Sequence, residues 1–287
     1  NATVEEVIHL LLYEHLPSPQ ELDSLKKRLD AERPIPDQVI DALKTRPKDA
    51  MPMDVLQAAV PMLANHDPEA ATLTIEKASD IAIKLIAKFP TIMAAWHRIR
   101  NGLEPVAPDD TLTHAQNFLY MMSAERPDDE IGRFMDVCLT LHAEHAFNAS
   151  TFSARQISST RSHMYAAISG AVGALSGELH GGANARVMQM LLDIGTPDAV
   201  ASYVKGKLDS GGKIMGMGHP VYKTGDPRSS ILRTMSKRMG ERINNMKWYE
   251  LNEAVREQTQ VYFKELKGVD IHPNVDFYSA TVYYAMG

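Results

Sequence analysis

The run EAATLTIEKASDIAIKLIAKFPTIMAAWHRIR, residues 69–100, decides how this chain folds. Ile75, Ala78, Ala82, Leu85 and Ile86 recur three and four residues apart, which gathers them on one face of a helix. Pro90 has no N–H to give to the helix ladder, so a break is expected there, with a second helix from Ile92 to Arg100. Asn101-Gly102 then closes that helix as a C-cap. The same period extends in both directions. Thr3 reads as an N-cap with Glu6 in capping-box position, followed by Val4, Val7, Ile8, Leu11 and Leu12. Ser18 caps a helix carrying Leu22, Leu25 and Leu29. Pro34, Pro36 and Pro52 punctuate short connections. Further helical patterns cover residues 54–63, 112–123, 128–142, 183–194, 197–209, 229–246 and 248–267. Alternating strand patterns are almost absent, so the expected fold is all-α.

The bulk numbers narrow the function. A chain of 287 residues can bury a sizeable core in one or two domains. It is 44% hydrophobic and 23% charged, the balance of an ordinary globular protein. A net charge of −6 and a pI near 6.0 argue against nucleic acid or an anionic membrane as the main partner. No apolar run reaches the roughly 18 residues a membrane span needs. Cys138 is the single cysteine, lies in an apolar helical stretch, and reads as a buried thiol. Residues 147–176 are rich in small side chains, among them Gly170, Ala171, Gly173 and Ala174. Such residues let helices approach closely, either inside a core or at a subunit contact. A domain break is expected near His180-Gly181-Gly182, dividing the chain into residues 1–181 and 182–287.

Three stretches leave the helical background, and each holds a histidine or a carboxylate. The first is Gly177-Glu178-Leu179-His180-Gly181-Gly182-Ala183-Asn184. Its glycines let backbone approach a ligand, and a helix start favours a neutral imidazole. The second runs from Lys213-Ile214-Met215-Gly216-Met217-Gly218-His219 to Tyr222-Lys223-Thr224-Gly225-Asp226-Pro227-Arg228. Gly216 and Gly218 can offer backbone groups to a flat ring or a phosphate, and Lys213, Lys223 and Arg228 add positive charge. A P-loop is excluded, because Gly-Lys-Ser/Thr is missing at the required spacing. The third is His272-Pro273-Asn274-Val275-Asp276, where Asp276 precedes a helix-like run and reads as an N-cap, a catalytic carboxylate, or both. His142 and His145, spaced to share one helix face with Glu144 between them, form a weak metal pattern, and no metal site is expected.

Taken together and in order, the three loops resemble those of the citrate synthase family, in its compact bacterial and archaeal type that also includes 2-methylcitrate synthases. The likeness covers nearly all 287 residues, including Asn1-Ala2-Thr3-Val4-Glu5-Glu6, Pro90-Thr91-Ile92-Met93-Ala94-Ala95 and the stretch from Leu141 to Arg155. It implies an all-α, cytoplasmic homodimer with a large helical domain, a smaller mobile domain and a cleft between them. It implies condensation of acetyl-CoA with oxaloacetate as in the tricarboxylic acid cycle, with the acyl-CoA as a substrate and no cofactor. On this resemblance His180 donates to the acetyl carbonyl, His219 polarises the oxaloacetate ketone, and Asp276 removes the methyl proton. Arg228 clamps an oxaloacetate carboxylate, and His145 is a further contact to that substrate. The backbone at Lys213, Ile214, Met215, Gly216 and Gly218 corresponds to the adenine-binding stretch, and Lys223 to a cation near CoA phosphate. Where the family usually has Asp-His-Glu or a close variant, this chain reads Glu144-His145-Ala146.

The resemblance further implies that a short β-rich start and a C-terminal part with more arginines lie outside these residues, and a molecule that ends at Gly287 is expected to be inactive. Three other readings stay open: a 2-methylcitrate synthase using propionyl-CoA, an inactive paralogue kept for assembly, and a CoA-binding module without condensation.

Overall fold

The computed structural model describes residues 2–177, 180–219, 222 and 224–287. It contains fourteen α-helices and no strands among the described residues. The first nine are α1 (Val4–Tyr13), α2 (Pro19–Glu32), α3 (Asp37–Lys44), α4 (Pro52–Ala64), α5 (Ile75–Arg100), α6 (His114–Ser123), α7 (Asp129–His142), α8 (Ala149–Ser158) and α9 (Met164–Leu175). After them come α10 (Ala183–Ile194), a 3-10 turn at Pro197–Ala199, α11 (Val200–Asp209), α12 (Pro227–Arg242), α13 (Lys247–Lys267) and α14 (Val275–Met286). The chain divides into two compact units, Asn1–Gly177 and Glu178–Gly287. No helix among the described residues is long and apolar enough to cross a membrane.

Local signals account for most helix starts. The Thr3 hydroxyl accepts from the Glu6 N–H, and the Glu6 carboxylate accepts from the Thr3 N–H at 2.7 Å, a closed capping box. Ser18 and Glu21 repeat the arrangement at α2. There the Ser18 amide and then its hydroxyl hold the Glu21 carboxyl down at about 2.

Pro90 does not end a helix. α5 runs unbroken through it, contrary to the break expected from the missing N–H. An interior proline costs about 3 kcal/mol. On either side of it Ile81, Ile83, Ile92, Ala95 and Trp96 are buried. Each large apolar side chain gains roughly 1.5–3 kcal/mol by burial, so packing outweighs the lost hydrogen bond. The main core of this unit joins Val39, Leu43, Val55, Val60, Ile92, Trp96, Tyr165 and Val172. The small residues of α9 serve that packing. A Cβ on Gly170 would lie 2.1 Å from Ile157 Cδ1 of α8, and one on Gly173 would lie 2.4 Å from Gln57 Nε2 of α4. Cys138 is fully buried.

One buried polar cluster gives this unit a pH dependence. The Arg33 guanidinium, itself buried, stands 3.0 Å from Nδ1 of buried His114 and bonds Asp30 on its other side. The His114 N–H donates to Glu5 Oε1 at 2.9 Å. Guanidinium is a donor only, so Nδ1 must accept and the ring is neutral. Burial first, and the Arg33 charge second, push the His114 pKa down to about 3. An unfolded histidine binds its proton near pH 6.5, whereas the folded one refuses it, so stability falls with pH below that value. From pH 6.5 to 5 the loss from this group is about 2 kcal/mol. In His114→Asn, whose amide oxygen can replace Nδ1 as acceptor, the urea midpoint should fall less over that interval than in the parent. An unchanged pH slope would assign the acid sensitivity to other groups.

In the second unit α14 is the central element, with Val275, Phe277, Tyr278, Ala280 and Val282 all buried. It packs on α10, α12 and α13. Side-chain polar bonds tie it to each. Asn184 of α10 donates to Ser279 Oγ at 2.6 Å, and Asn252 of α13 donates to the Phe277 carbonyl at 3.1 Å. The Ser236 hydroxyl of α12 meets the Thr281 hydroxyl at 2.7 Å.

Candidate active site

Two of the three loops are a single structure. Gly218 N–H donates to the His272 carbonyl at 2.7 Å, and Asn274 N–H donates to the Gly216 carbonyl at 2.9 Å. Met217 and Pro273 face each other as an isolated antiparallel bridge. The Asn274 side chain adds a third tie, donating to the Gly218 carbonyl at 2.9 Å. Glycine is required for this approach. Gly216 has φ +74°, and a Cβ on it would stand 2.8 Å from Val187 Cγ2 and 2.9 Å from Phe277 Cα. Gly216 is thus pressed on the base of α14, with its carbonyl already occupied.

The pairing sets the start of α14. Asn274, not Asp276, is the N-cap, and its Oδ1 accepts the Asp276 N–H at 3.0 Å. The capping role considered for Asp276 therefore falls to its neighbour. Asp276 sits half-buried in the first turn, where unpaired helix N–H groups favour an anion.

His219 follows directly from the paired loop. Its Nδ1 accepts the Tyr222 N–H at 3.2 Å, so the neutral ring carries its proton on Nε2 and is a donor there. The Tyr222 ring lies 4.7 Å from the imidazole. Two cavities, of about 330 and 370 Å³, share Gly218, His219, Phe263 and Ile271 as walls. The larger is also lined by Lys213, Ile214 and Met217. Lys213 is exposed, Ile214 buried and Met215 half-buried.

Arg228 is held by a residue that sequence reasoning overlooked. Buried Asp226 accepts Arg228 Nε at 2.9 Å and Nη2 at 2.8 Å, a bidentate pair. Each carboxylate oxygen takes a second donor: the Arg228 N–H at 3.0 Å and the Val275 N–H at 3.0 Å. Burial works against ionisation of Asp226, but the bonds from Arg228 outweigh it and hold the carboxyl below its usual range. The same bonds, with a contribution from Asp276, raise Arg228 further into its charged form. Asp226 thus connects the cation to the helix that carries Asp276. Its signal was present, since Asp followed by Pro is an N-cap and N1 pair, and Asp226 does cap α12.

His180 is half-buried in a turn before α10, whose N-cap is Gly182 with no side-chain cap bond. Lys223 lies outside the described residues. His145, in the first unit, is half-buried in the loop between α7 and α8. α7 ends at His142, whose Nδ1 stands 2.7 Å from the Cys138 carbonyl, so His142 and His145 do not share a helix as their spacing suggested.

The geometry therefore joins a ring-nitrogen donor, a braced guanidinium and a carboxylate at a helix start. Comparison with known proteins gives the family. The family profile described as "Citrate synthase, C-terminal domain" matches residues 1–287. A citrate synthase of Deinococcus radiodurans is 44% identical over 286 residues, covering 100% of this chain and 75% of that protein. A 2-methylcitrate synthase of Mycobacterium tuberculosis is 36% identical over 283 residues, covering 99% of this chain and 70% of its own length. Among solved structures, the citrate synthase of Thermoplasma acidophilum, in ternary complex with carboxymethyl coenzyme A and oxaloacetate, superposes with a TM-score of 0.93 at 30% identity, covering 100% of this chain and 74% of its own. With the all-α fold and a match over its whole length, this chain belongs to the citrate synthase family.

Proposed function

We propose that the protein condenses acetyl-CoA with oxaloacetate and water to give citrate and CoA. The observation that carries this reading is the hydrogen-bonded pairing of the His219 loop with the Asp276 loop, braced through Asp226 to Arg228. Asp276 takes a proton from the acetyl methyl while His180 donates to the thioester carbonyl oxygen. Base and acid act at opposite ends because a thioester α-proton is too weakly acidic for either alone. The nucleophilic carbon then attacks the ketone of oxaloacetate, and the ketone oxygen takes up the proton offered by His219 Nε2. Water cleaves the resulting thioester and CoA leaves.

Arg228 holds a carboxylate of oxaloacetate, and a planar fork suits that task. His145 is assigned to the same substrate by resemblance alone. CoA is assigned to the stretch Lys213, Ile214, Met215, Gly216 and Gly218, with Lys223 as a phosphate contact. Within it Lys213, Ile214 and Gly218 line the larger cavity, whereas Gly216 contributes packing. A homodimer is the assembly that the family resemblance favours.

The names of the relatives support acetyl-CoA over propionyl-CoA, since the 44% relative is a citrate synthase and the 36% relative a 2-methylcitrate synthase. One methylene is worth only about 1–3 kcal/mol of discrimination, so both thioesters must be assayed. The test is release of free CoA, followed with a thiol reagent, from each thioester with and without oxaloacetate. Oxaloacetate-dependent release with a higher kcat/KM for acetyl-CoA is expected. A preference for propionyl-CoA would make the protein a methylcitrate synthase. No oxaloacetate-dependent release from folded protein would leave an assembly role in its place.

A further inference from the structure

We propose that His9, His15 and Glu21 form a binding site for a zinc-like divalent cation at the corner between α1 and α2. The three residues each offer one ligand atom, and these atoms lie within 4.8 Å of one another. They line a cavity of about 350 Å³ together with Tyr13, Arg28 and Ile83. Their spacing in sequence matches no metal-ligand motif, and it is the turn between the two helices that gathers them.

The surroundings of each ligand are arranged as a metal site needs. His9 Nδ1 stands 3.0 Å from the His15 carbonyl, and His15 Nδ1 stands 2.9 Å from the Tyr13 carbonyl. A carbonyl can only accept, so both Nδ1 atoms carry the proton. In the neutral rings the lone pair is then on Nε2, the tautomer that backbone carbonyls impose on metal-binding histidines. Glu21 divides its two oxygens. Oε2 accepts the Ser18 N–H at 2.8 Å in the capping box, which orients the group and leaves Oε1 3.3 Å from His15 Nε2. Two ligands bound to one tetrahedral zinc at about 2.0–2.1 Å are themselves about 3.3–3.4 Å apart, so this pair already stands at the required separation.

A neutral His15 directs a lone pair at a carboxylate oxygen, which is repulsive unless a proton or a metal ion lies between them. The rest of the site tolerates the metal. His9 is buried, whereas His15 and Glu21 are exposed and can adjust toward an ion. Arg28, the cation on the cavity wall, is ion-paired with Asp80 of α5. A bound ion would fasten the C-terminal end of α1 to the first turn of α2 with three protein ligands and a water.

The test is titration of metal-free, untagged protein with Zn²⁺ by calorimetry, with Co²⁺ as a spectroscopic probe and melting followed in parallel. One equivalent of Zn²⁺ should bind, give the visible absorption of four-coordinate Co²⁺ in the matched experiment, and raise the melting temperature. His15→Ala and Glu21→Gln should each weaken binding at least about tenfold and remove the thermal shift. His142→Ala should leave both unchanged. No saturable binding, or binding that survives both substitutions, would overturn the proposal, as would binding lost only in His142→Ala.

Discussion

Replacement of Asp276 by Asn is expected to lower kcat by about 10²- to 10⁴-fold, the usual contribution of a positioned general base. The substitution keeps the size of the side chain and removes its charge. It leaves the helix start alone, because Asn274 is the cap and the Asp276 backbone N–H already bonds Asn274 Oδ1. Folding should therefore be intact, and circular dichroism and the melting temperature should match the parent within a degree or so, as for a substitution costing within about 0.5 kcal/mol. The readout is initial CoA release at saturating acetyl-CoA and oxaloacetate. KM for oxaloacetate should change little, since a base acts on the other substrate. A kcat within about tenfold of the parent, a barrier change of only about 1.4 kcal/mol, would mean that another group removes the proton.

The second large effect is expected at Asp226, a positioning residue. Its buried carboxylate receives four hydrogen bonds, three from Arg228 and one from the Val275 N–H. In Asp226→Asn one of the two oxygens becomes an NH₂ group and meets donors with a donor. Breaking a buried ion pair from one side costs about 3–5 kcal/mol, so the variant should melt at lower temperature. Arg228 also loses the fork that aims it. KM for oxaloacetate should rise at least about tenfold, the equivalent of about 1.4 kcal/mol, while KM for acetyl-CoA moves much less. That split separates aiming of Arg228 from general loosening, which would raise both together. The pH dependence has a defined sign. Asp226 is ionised in the fold below the usual carboxyl range, so its contribution is complete above the unfolded value of about 3.9 and lost as pH falls through the folded one. The variant should lack that acid step.

What this sequence determined by itself was set by interactions of short range. The capping boxes at Thr3 and Ser18 close within three residues, so the pattern is complete in the text of the chain. Helical period likewise needs only near neighbours, and it located α10 from residue 183 to 194. The three histidine-bearing loops stood out because their glycine, proline and asparagine are poor helix formers and their histidines and carboxylates are rich in chemistry.

What only the tertiary structure decided depends on partners far along the chain. Pro90 is a helix breaker by its own chemistry, and burial of Ile92 and Trp96 among residues from other helices reverses that preference. The join of Gly218 to His272 spans more than fifty residues, and the bond from Val275 to Asp226 spans 49. These long-range bonds join two of the three loops and give Asn274 the cap. The same holds at the α1–α2 corner, where three unremarkable side chains become a candidate metal site because a turn in space, and no spacing in sequence, gathers them.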